Sequence, residues 1–574
     1  MFLGVEKSVS GRAWIGPDAG ADRLAEALVQ AGHPRALAQH LAGRGIAADA
    51  AEGFLAPRLR DDLPDPRGLA DAEPAAARLV RAARARERIA VFADYDVDGG
   101  ASAALLAWWL RGLGHAATLY VPDRVGEGYG PNAPAMARLA ADHDLIVCVD
   151  CGTVSHDALA AAEGADVVVI DHHLGAETLP PALAVVNPNR ADADGALSHL
   201  CAAAVVFLVL VEANRQLREA GETGPDLMAM LDLVALATVA DVVPLVGVNR
   251  ALVRQGLRVM ARRDRPGLRA LADVARLDGP PDAGNLGYAL GPRINAGGRV
   301  GRADLGARLL STADPHEAAA LAERLDALNR ERRAIEARVS AEARAQADGR
   351  DGPLAWAAGP GWHPGVVGIA AARLKEASHR PAVVIGLAED GSGQGSARSV
   401  RGVDIGAALQ RLVAEGLATK GGGHRMAGGL SLPPGGVEPA MARLAELVAR
   451  QRGDAPAGPG DLRLDGAVMP AAATVELVRA LDAAGPFGQG APAPRFALPD
   501  LRVAHARPVG DGHLKLTLSE GRARLDAIAF RASDGLRALA ASGRPLHLAG
   551  RIEINRWQGR EGVQLRVEDA APAG

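Results

Sequence analysis

The sequence predicts an α/β protein: a doubly wound parallel sheet, a long connector helix, a second, smaller α/β domain and a C-terminal β-barrel. Three observations lead to this fold class. Strand-like runs alternate with helical stretches over 88–190, a charged stretch without glycine occupies 315–347, and short alternating strands fill the tail from about residue 462. At 574 residues, the chain is long enough to bury more than one hydrophobic core.

Four strand-like runs define the first domain. They are rich in valine and isoleucine and almost continuously apolar, as parallel strands covered on both faces should be. The runs are RIAVFADYD, DLIVCVDCG, DVVVIDHH and LAVVNPN, and the intervening ASAALLAWWLRGLG, APAMARLAADH and HDALAAAEGA fit crossover helices. Ligands of such sheets bind outside the carboxyl ends of the strands, so we expect the functional site at that edge.

Acidic residues follow the first three of these strands. Asp94, Asp96 and Asp98 follow the first, Asp150 follows the second, Asp171, His172 and His173 follow the third, and Asp241 closes a later apolar helix just before Pro244. Carboxylates crowded at one sheet edge repel one another, and a bound cation would neutralise them. The alternative for any single residue is structural: Asp96 and Asp98 could cap the next helix, and Asp241 could be an ordinary helix-end acid.

This oxygen-rich set, with one or two imidazoles, suits Mg²⁺ or Mn²⁺. The candidate metal ligands are Asp94, Asp96, Asp98, Asp150, His172 and Asp241. So many acids favour two divalent cations about 3.5 to 4 Å apart, arranged for attack of water on a phosphoryl group. Asp150, on the middle strand of the three, is the predicted bridging ligand.

Two glycine-containing motifs predict a phosphate-binding surface in the second α/β domain. GGGHRMAGG offers small residues, Gly422 and Gly423, whose backbone N–H groups can approach an anion, with His424 beside them. GSARS places Ser396 and Arg398 on one side of a presumed strand, and a hydroxyl with a guanidinium suits a terminal phosphate. A glycine-rich loop alone is usually a turn, and a single arginine is as often a surface charge.

Composition adds few constraints. The formal net charge of −4 means that any nucleic-acid contact must come from local arginine clusters. Cys148, Cys151 and Cys201 do not form a disulfide framework, and we interpret the C-x-x-C pair as small buried residues. The N-terminus lacks a signal-peptide pattern and the longest apolar run, 200–211, is too short to span a bilayer, so we expect a cytoplasmic protein with no membrane partner.

Several motifs resemble those of the DHH phosphoesterase superfamily. DYDVDG, VDCG, DHH and ATVADVVPL occur in its order and spacing, and GGGHRMAGG resembles its DHHA1-type motif. The resemblance is most specific to the RecJ family, through VPDRVGEGYG, VVNPN, GPRINAGGRVG, WHPGVVGIAAARL, GSARS and GPFGQGAPAPRF. It covers residues 50–574 and leaves the first fifty uninformative. His363, within the WHPG motif, is given no role in the chemistry.

The resemblance implies a metal-dependent, 5′-to-3′ exonuclease specific for single-stranded DNA, acting in DNA repair and recombination, with an OB-like C-terminal barrel. The implied domains are an N-terminal segment (1–65), a DHH catalytic domain (66–314), a connector helix (315–350), a DHHA1-type domain (351–455) and the OB-like domain (456–574). Single-strand-binding protein and a helicase are further partners that the resemblance suggests.

The family's metal ligands fall on the six candidates above. His173 would then contact the scissile phosphate, and Asp171 would orient the histidine pair. Arg124 and Arg299, with Ser396 and Arg398, would hold the 5′ end. Many superfamily members have a histidine where this chain has Phe92, so Asp94 either replaces that ligand or only supports the site.

Two other functions stay open. A DHH phosphodiesterase could act on short oligonucleotides or cyclic dinucleotides, but such substrates do not need the additional barrel. A catalytically inactive scaffold protein of the replication machinery is disfavoured because the ligand set is unbroken. The preference for DNA over RNA and the identity of the metal are not decided by the sequence.

Overall fold

The structure, a computed structural model, describes residues 1–124, 126–453, 458–510, 512–557 and 560–573. They form two compact units: one comprises Met1–Leu63, Pro244–Arg254 and Gly458–Gly574, and the other comprises Pro64–Val243 and Gln255–Ala457. Over the described ranges, the helices are all too short or too polar to cross a bilayer. The predicted fold class is confirmed.

The secondary-structure elements are numbered here in chain order. The strands are β1 Trp14–Ile15, β2 Ile89–Ala93, β3 Ala117–Tyr120, β4 Leu145–Val149, β5 Asp166–Ile170, β6 Ala184–Val186, β7 Ala355–Pro360, β8 Ala382–Leu387, β9 Gly393–Arg398, β10 Lys420–His424, β11 Ala427–Leu432, β12 Leu462–Arg463, β13 Gly466–Ala467, β14 Phe496–Val509, β15 His513–Glu520, β16 Ala523–Ala529, β17 Leu546–Trp557 and β18 Arg560–Pro572. The helices are α1 Ala19–Gln30, α2 Arg35–Gly43, α3 Ala51–Leu55, α4 Leu59–Asp62, α5 Ala72–Ala85, α6 Val97–Gly112, α7 Ala133–Asp142, α8 His156–Ala160, α9 Ala202–Glu219, α10 Leu231–Ala240, α11 Val248–Met260, α12 Pro266–Val274, α13 Ala283–Asn285, α14 Gly291–Val300, α15 Leu305–Ser311, α16 Pro315–Asp348, α17 Pro364–Ser378, α18 Ile405–Ala414, α19 Val437–Arg452, α20 Val475–Asp482 and α21 Asp534–Ala541.

The first sheet is parallel, five-stranded and ordered β3-β2-β4-β5-β6. Every residue of β2 and β4 is buried, because helices cover both faces of the sheet, and this explains their continuous apolar sequences. The four predicted strands are present. The sequence analysis did not identify β3, a partly exposed edge strand. In register, Phe92 pairs with Cys148, which in turn pairs with Val169, so the acidic residues that follow these strands share one edge.

The long helix α16 follows at the predicted position and runs over 34 residues. Asp314 caps its first turn by accepting the N–H of His316. Its buried face carries Leu321 and Leu325 in the N-terminal half and Val339 and Ala343 in the C-terminal half. The first half packs on α12, α14 and α15, and the second half on β7 and α17, so α16 connects the two α/β sheets of this unit.

The second sheet is mixed, in the order β10-β11-β9-β8-β7, and only β7 and β8 are parallel. GGGHRMAGG, described from the sequence as a glycine-rich loop, forms the hairpin of β10 and β11. The reason is close packing: Gly423 has φ of +137°, and a Cβ there would lie 2.5 Å from the carbonyl oxygen of Ala427. These glycines therefore have a structural role in the sheet.

The other unit contains the barrel. Strands β14, β15, β16, β18 and β17 form a sheet that closes through pairing of β14 with β17, and β13 extends it beside β14. The first 63 residues belong to this unit: β1 pairs with β12, and Trp14 is fully buried with its Nε1 donating to Asp569. Leu28 and Leu41 share a core with the barrel residue Leu516. The N-terminal segment thus completes the barrel's hydrophobic core.

Candidate metal centre and phosphate-binding cluster

The turn after β2 brings the first acids into one edge of the sheet. Asp96 is the N-cap of α6 and accepts the backbone N–H groups of Asp98 and Gly99 through Oδ1. Asp96 therefore caps the helix, as the structural alternative states. Its second carboxylate oxygen, Oδ2, makes no hydrogen bond in the described residues and is available to a ligand. A Cβ at position 99 would lie 2.4 Å from the Asp94 carbonyl oxygen, so only glycine allows this tight turn.

Among the six predicted metal ligands, Asp98 and Asp150 are the most buried, at 1% and 2% exposure. Asp98 accepts the backbone N–H groups of Ala202 and Ala203 at the start of α9. Asp150 has a left-handed backbone, with φ of +60°, which is uncommon outside glycine and is often retained at functional sites. Asp150 Oδ1 and Asp94 Oδ1 are buried without a hydrogen-bond partner in the described structure. Buried carboxylate oxygens of this kind require another ligand.

Asp171 fixes the orientation of the two histidines. Its Oδ2 accepts from the backbone and hydroxyl of Thr153, and its Oδ1 accepts from both histidine backbones and from His173 Nδ1 at 2.8 Å. His172 Nδ1 lies 3.1 Å from the carbonyl oxygen of Leu200. A carbonyl only accepts, so Nδ1 is the nitrogen that donates to it, and Nε2 faces the acids.

Three overlapping sets of side chains could each hold an ion, with ligand atoms within 4.8 Å of one another in each set. The sets are Asp94, Asp96 and Asp150; Asp98, His172 and Asp241; and Asp150, His172 and His173. Asp150 and His172 each belong to two sets. All six predicted metal ligands are thus brought together, and Asp150 and His172 link the three sets.

The charges in the site are unbalanced without a cation. Burial and the neighbouring carboxylates raise the pKa of Asp94 and of Asp150 well above the usual value, and the same causes raise the pKa of Asp241 to about 8. Burial also raises the pKa of Asp98. The oxygen-rich donor set, the two carboxylate oxygens without a hydrogen-bond partner and the imidazole nitrogen that faces them therefore fit hard divalent cations such as Mg²⁺ or Mn²⁺.

The hydrogen bond from His173 to Asp171 determines the charge of the His173 imidazole. Burial lowers its pKa, but the hydrogen bond and attraction from Asp171 outweigh burial, and the pKa is raised to about 9. The same hydrogen bond lowers the pKa of Asp171 despite burial. His173 is therefore a cation near neutral pH and lies at the edge of the acidic cluster, with Nδ1 3.9 Å from Asp150 Oδ1.

Tyr129 is a member of the site to which the sequence analysis gave no role. Its hydroxyl donates to the backbone carbonyl of Asp150 at 3.1 Å and lies 3.2 Å from the ring nitrogens of His173. The ring packs edge-on against the same imidazole, with a centroid distance of 5.6 Å. The only sequence signal was its place in VPDRVGEGYG. Tyr129 therefore contacts His173 in addition to Asp171 and restricts the orientation of the imidazole.

Three arginines form a second cluster, defined here as Arg124, Arg299 and Arg398. Arg398 donates to Ser396 Oγ at 2.9 Å, Arg299 donates to the carbonyl oxygen of Gly365 at 3.0 Å, and Arg124 lies over the ring of Tyr95 at 5.0 Å. Across the described ranges, no carboxylate lies within ion-pair distance of any of the three.

The cluster carries unneutralised positive charge. Burial, Arg124 and Arg332 lower the pKa of Arg299 to about 10, and burial and Arg124 lower the pKa of Arg398. The charge of Arg124 lowers the pKa of Asp94, and the charge of Asp96 raises the pKa of Arg299. These interactions show that the arginine cluster borders the acidic one. An anion bound between these guanidinium groups would relieve their repulsion.

The hairpin residues with a predicted phosphate-binding role lie near one end of β9. Ala427 of β11 pairs with Arg398, and His424 of β10 pairs with Ala427. Gly422 and Gly423 are on β10, an edge strand whose outer backbone groups the ladder does not use. His424 is exposed and makes no side-chain hydrogen bond among the described residues. The phosphate roles of Gly422, Gly423 and His424 stay predictions.

Comparisons with known proteins identify three matching family models. They are the DHH family N-terminal domain over residues 88–238, the DHHA1 domain over 351–450 and the RecJ OB domain over 464–569. The sequence is 41% identical over 507 residues to the single-stranded-DNA-specific exonuclease RecJ of Dickeya dadantii, covering 84% of this chain and 88% of that protein. It is 39% identical over 528 residues to RecJ of Escherichia coli, covering 88% and 91%.

Solved structures give the same result. Crystal structures of RecJ from Thermus thermophilus in complex with Mn²⁺ and with Mg²⁺ match with TM-scores of 0.80 and 0.75. They are 30% and 29% identical in sequence, and each alignment covers 97% of this chain and 79% or 78% of the other. The order of the three family models also follows the order of the sheets described above.

Proposed function

Because this chain belongs to the RecJ family of single-stranded-DNA-specific exonucleases, we propose that it releases mononucleotides from the 5′ end of single-stranded DNA with two divalent cations. The observation that carries this proposal is the presence of two clusters of opposite charge within electrostatic range of each other. One is an acidic set able to hold cations, and the other consists of arginines without acidic partners in the described structure. A phosphodiester could bind the cations held by the acidic set, and a terminal phosphate next to it could bind the arginines.

In this proposal the acidic set would be shared between two ions. Asp94, Asp96 and Asp150 would hold one, and Asp98, His172 and Asp241 would hold the other. Divalent cations bound there would supply Lewis-acid activation of water and neutralise charge on the phosphoryl oxygens. Relatives from Thermus thermophilus have been crystallised with Mn²⁺ and with Mg²⁺, which supports either ion.

His173 contributes charge from the protein itself. Asp171 holds its Nδ1–H, and the imidazolium that results can donate through Nε2 to a non-bridging oxygen of the scissile phosphate. Tyr129 limits rotation of the ring. Asp171 and Tyr129 are positioning residues, because each acts through the imidazole.

The arginine cluster would set the polarity of the reaction. A terminal phosphate monoester carries more charge than an internal diester, and three guanidinium groups with the Ser396 hydroxyl suit it. If that phosphate is the 5′ terminus, the acidic set acts on the next phosphodiester and removes one nucleotide. The C-terminal barrel would bind the remainder of the strand without sequence preference.

The cellular role is proposed from family membership. We place the activity in DNA repair and recombination, with a helicase supplying single strands and a single-strand-binding protein covering them. The two open alternatives, a phosphodiesterase of short oligonucleotides and an inactive scaffold, remain as outcomes of the test below.

The test is a cleavage assay with Mn²⁺ or Mg²⁺ on oligonucleotides labelled at either end. We expect a 5′-labelled single-stranded DNA to release labelled mononucleotide at once, and a 3′-labelled one to shorten progressively. Matched RNA, duplex and dinucleotide substrates should react more slowly. Arg398→Ala should lose most of the preference for a 5′-phosphate over a 5′-hydroxyl. Faster cleavage of RNA or dinucleotide, early release of the 3′ label, or no cleavage would contradict the proposal.

A further inference from the structure

His363 is the N-cap residue of α17, the helix whose first turns lie on the arginine cluster. Its Nδ1 accepts the backbone N–H of Gly365 at 3.0 Å. A nitrogen that accepts an N–H cannot carry a proton, so this hydrogen bond selects the tautomer with the proton on Nε2. The imidazole is half-buried, and Nε2 has no hydrogen-bond partner within the described part of the chain.

The backbone donors at this helix end are already used. Pro364 has no N–H, and the N–H of Gly365 is bound to His363 Nδ1. The N–H groups of Val366 and Val367 both donate to the carbonyl oxygen of His363. His363 Nε2–H is therefore the donor at this helix end that is still available to a ligand. The Gly365 N–H bound to Nδ1 polarises the ring, so the positive end of the helix dipole strengthens this donor.

The same turns contact the phosphate-binding side chains. The carbonyl oxygen of Gly365 accepts from Arg299, and a Cβ at this position would lie 2.3 Å from the Arg299 carbonyl oxygen. A Cβ at Gly368 would lie 3.1 Å from both Arg398 Nη2 and Ser396 Oγ. At Gly365 a side chain would clash with the Arg299 backbone, so this close approach of α17 requires glycine, and at Gly368 a side chain would press on the ends of the two side chains.

We propose that His363 Nε2–H is a further donor to the 5′-terminal phosphate and a determinant of the preference for phosphorylated ends. The inference rests on the proposed function, because it assumes that the arginine cluster holds that phosphate. Burial and the charge of Arg124 lower the pKa of His363, against the weaker attraction of Glu331. The imidazole therefore adds a hydrogen bond without adding a fourth positive charge to three that already repel one another.

His363→Asn separates this role from helix capping. Asparagine is a preferred N-cap residue and can accept the Gly365 N–H, but its side chain then has no donor where Nε2 was. His363→Ala loses both functions. His316→Asn, at an exposed position on α16, is the matched control.

The experiment measures KM and kcat on 5′-phosphorylated and 5′-hydroxyl single-stranded DNA, together with thermal melting of each full-length variant. We expect His363→Asn to keep the melting temperature and to lower the phosphate preference about tenfold or more, mainly through KM. Wild-type preference in His363→Asn would overturn the inference and leave a capping role only. A lower melting temperature in both His363 variants, with an unchanged preference for the 5′-phosphate, would also overturn the inference and leave a capping role only.

Arg398→Ala makes the two failures distinguishable. If Arg398→Ala loses the preference for a 5′-phosphate while His363→Asn keeps it, the terminal-phosphate site stands and the role of His363 is wrong. If the wild type itself has no preference for a 5′-phosphate, the proposed function of the arginine cluster fails, and the inference about His363 fails with it.

Discussion

His172 Nε2 lies 3.4 Å from Asp150 Oδ1, while Nδ1 of the same ring is bound to the Leu200 carbonyl oxygen. With Nδ1 as the protonated nitrogen, Nε2 presents a lone pair to a carboxylate oxygen that is buried without another hydrogen-bond partner in the described structure. Two lone pairs at this distance repel each other unless a cation or a proton lies between them. This relationship ties the histidine and the aspartate to one ion-binding function.

The metal-free protein should lose stability as pH rises. The pKa of Asp241 is raised to about 8, and those of Asp94 and Asp150 are raised well above 3.8. The folded chain then binds more protons than the unfolded chain from about pH 4 upward, so each carboxylate that ionises reduces the free energy of unfolding. Melting of EDTA-treated protein should show a fall in melting temperature from pH 5.5 to about 8.5.

Asp241→Asn should flatten this dependence, because one of the titrating groups is gone. The stabilisation by saturating Mn²⁺ should grow over the same pH interval, because the ions replace protons on the same oxygens. A melting temperature of metal-free wild type that rises between pH 6 and 8 would contradict the charge distribution described for the site.

Asp171→Asn should impair the orientation of the histidines without removing a metal ligand. The Asp171 carboxylate accepts from Thr153 and from both His172 and His173, so weakening these buried hydrogen bonds should cost about 1–3 kcal/mol of unfolding free energy. We expect kcat to fall more than KM rises. The pKa of His173, followed by NMR in the metal-free protein, should fall from about 9 towards its ordinary value. An unchanged His173 titration would show that another group holds its proton.

Trp14→Ala should destabilise the barrel unit. Trp14 is fully buried, and its Nε1 donates to Asp569, which is itself 2% exposed. The loss of the ring should cost about 3–5 kcal/mol, and it leaves a buried carboxylate without its donor. Hydrogen exchange should rise in β1, β12 and β18. Trp14→Phe keeps most of the volume and should cost less; equal costs would mean that the cavity contributes little.

The acidic site was predictable because strand ends in a parallel sheet share an edge. Asp94, Asp150 and Asp171 each follow an apolar strand, so parallel sheet topology alone places them at one edge, and the structure brings them together. Asp241 ends an apolar helix instead, a position that equally fits an ordinary helix-end acid, and the resemblance of ATVADVVPL to the superfamily motif supported it as a ligand.

Other features depended on contacts that a linear pattern does not contain. The convergence of Arg124, Arg299 and Arg398 joins three distant segments, so spacing alone could not show it. The glycines of GGGHRMAGG suggested a glycine-rich loop, whereas they lie in β10 and β11, whose close packing requires them. The first 63 residues show their role only in the core that they share with the barrel. The five domain ranges drawn from the sequence stay predictions.

Asp150→Asn should nearly abolish cleavage while leaving the metal-free fold intact. The amide has the same shape and asparagine tolerates the left-handed backbone at this position. Removal of one buried charge also relieves repulsion, so the metal-free variant should melt no lower than the metal-free wild type. Activity should fall by several orders of magnitude, and Mn²⁺ should raise the melting temperature much less. Asp142→Asn, at an exposed site on α7, is the control.

The measurement that tests the two-cation site most directly is anomalous diffraction from crystals of this protein soaked in Mn²⁺. We expect two peaks about 3.5 to 4 Å apart in the wild type, with the Asp150 carboxylate bridging them, and no such pair in Asp150→Asn. A single peak in the wild type, or two peaks that both persist in the variant at normal occupancy, would contradict a two-cation site centred on Asp150.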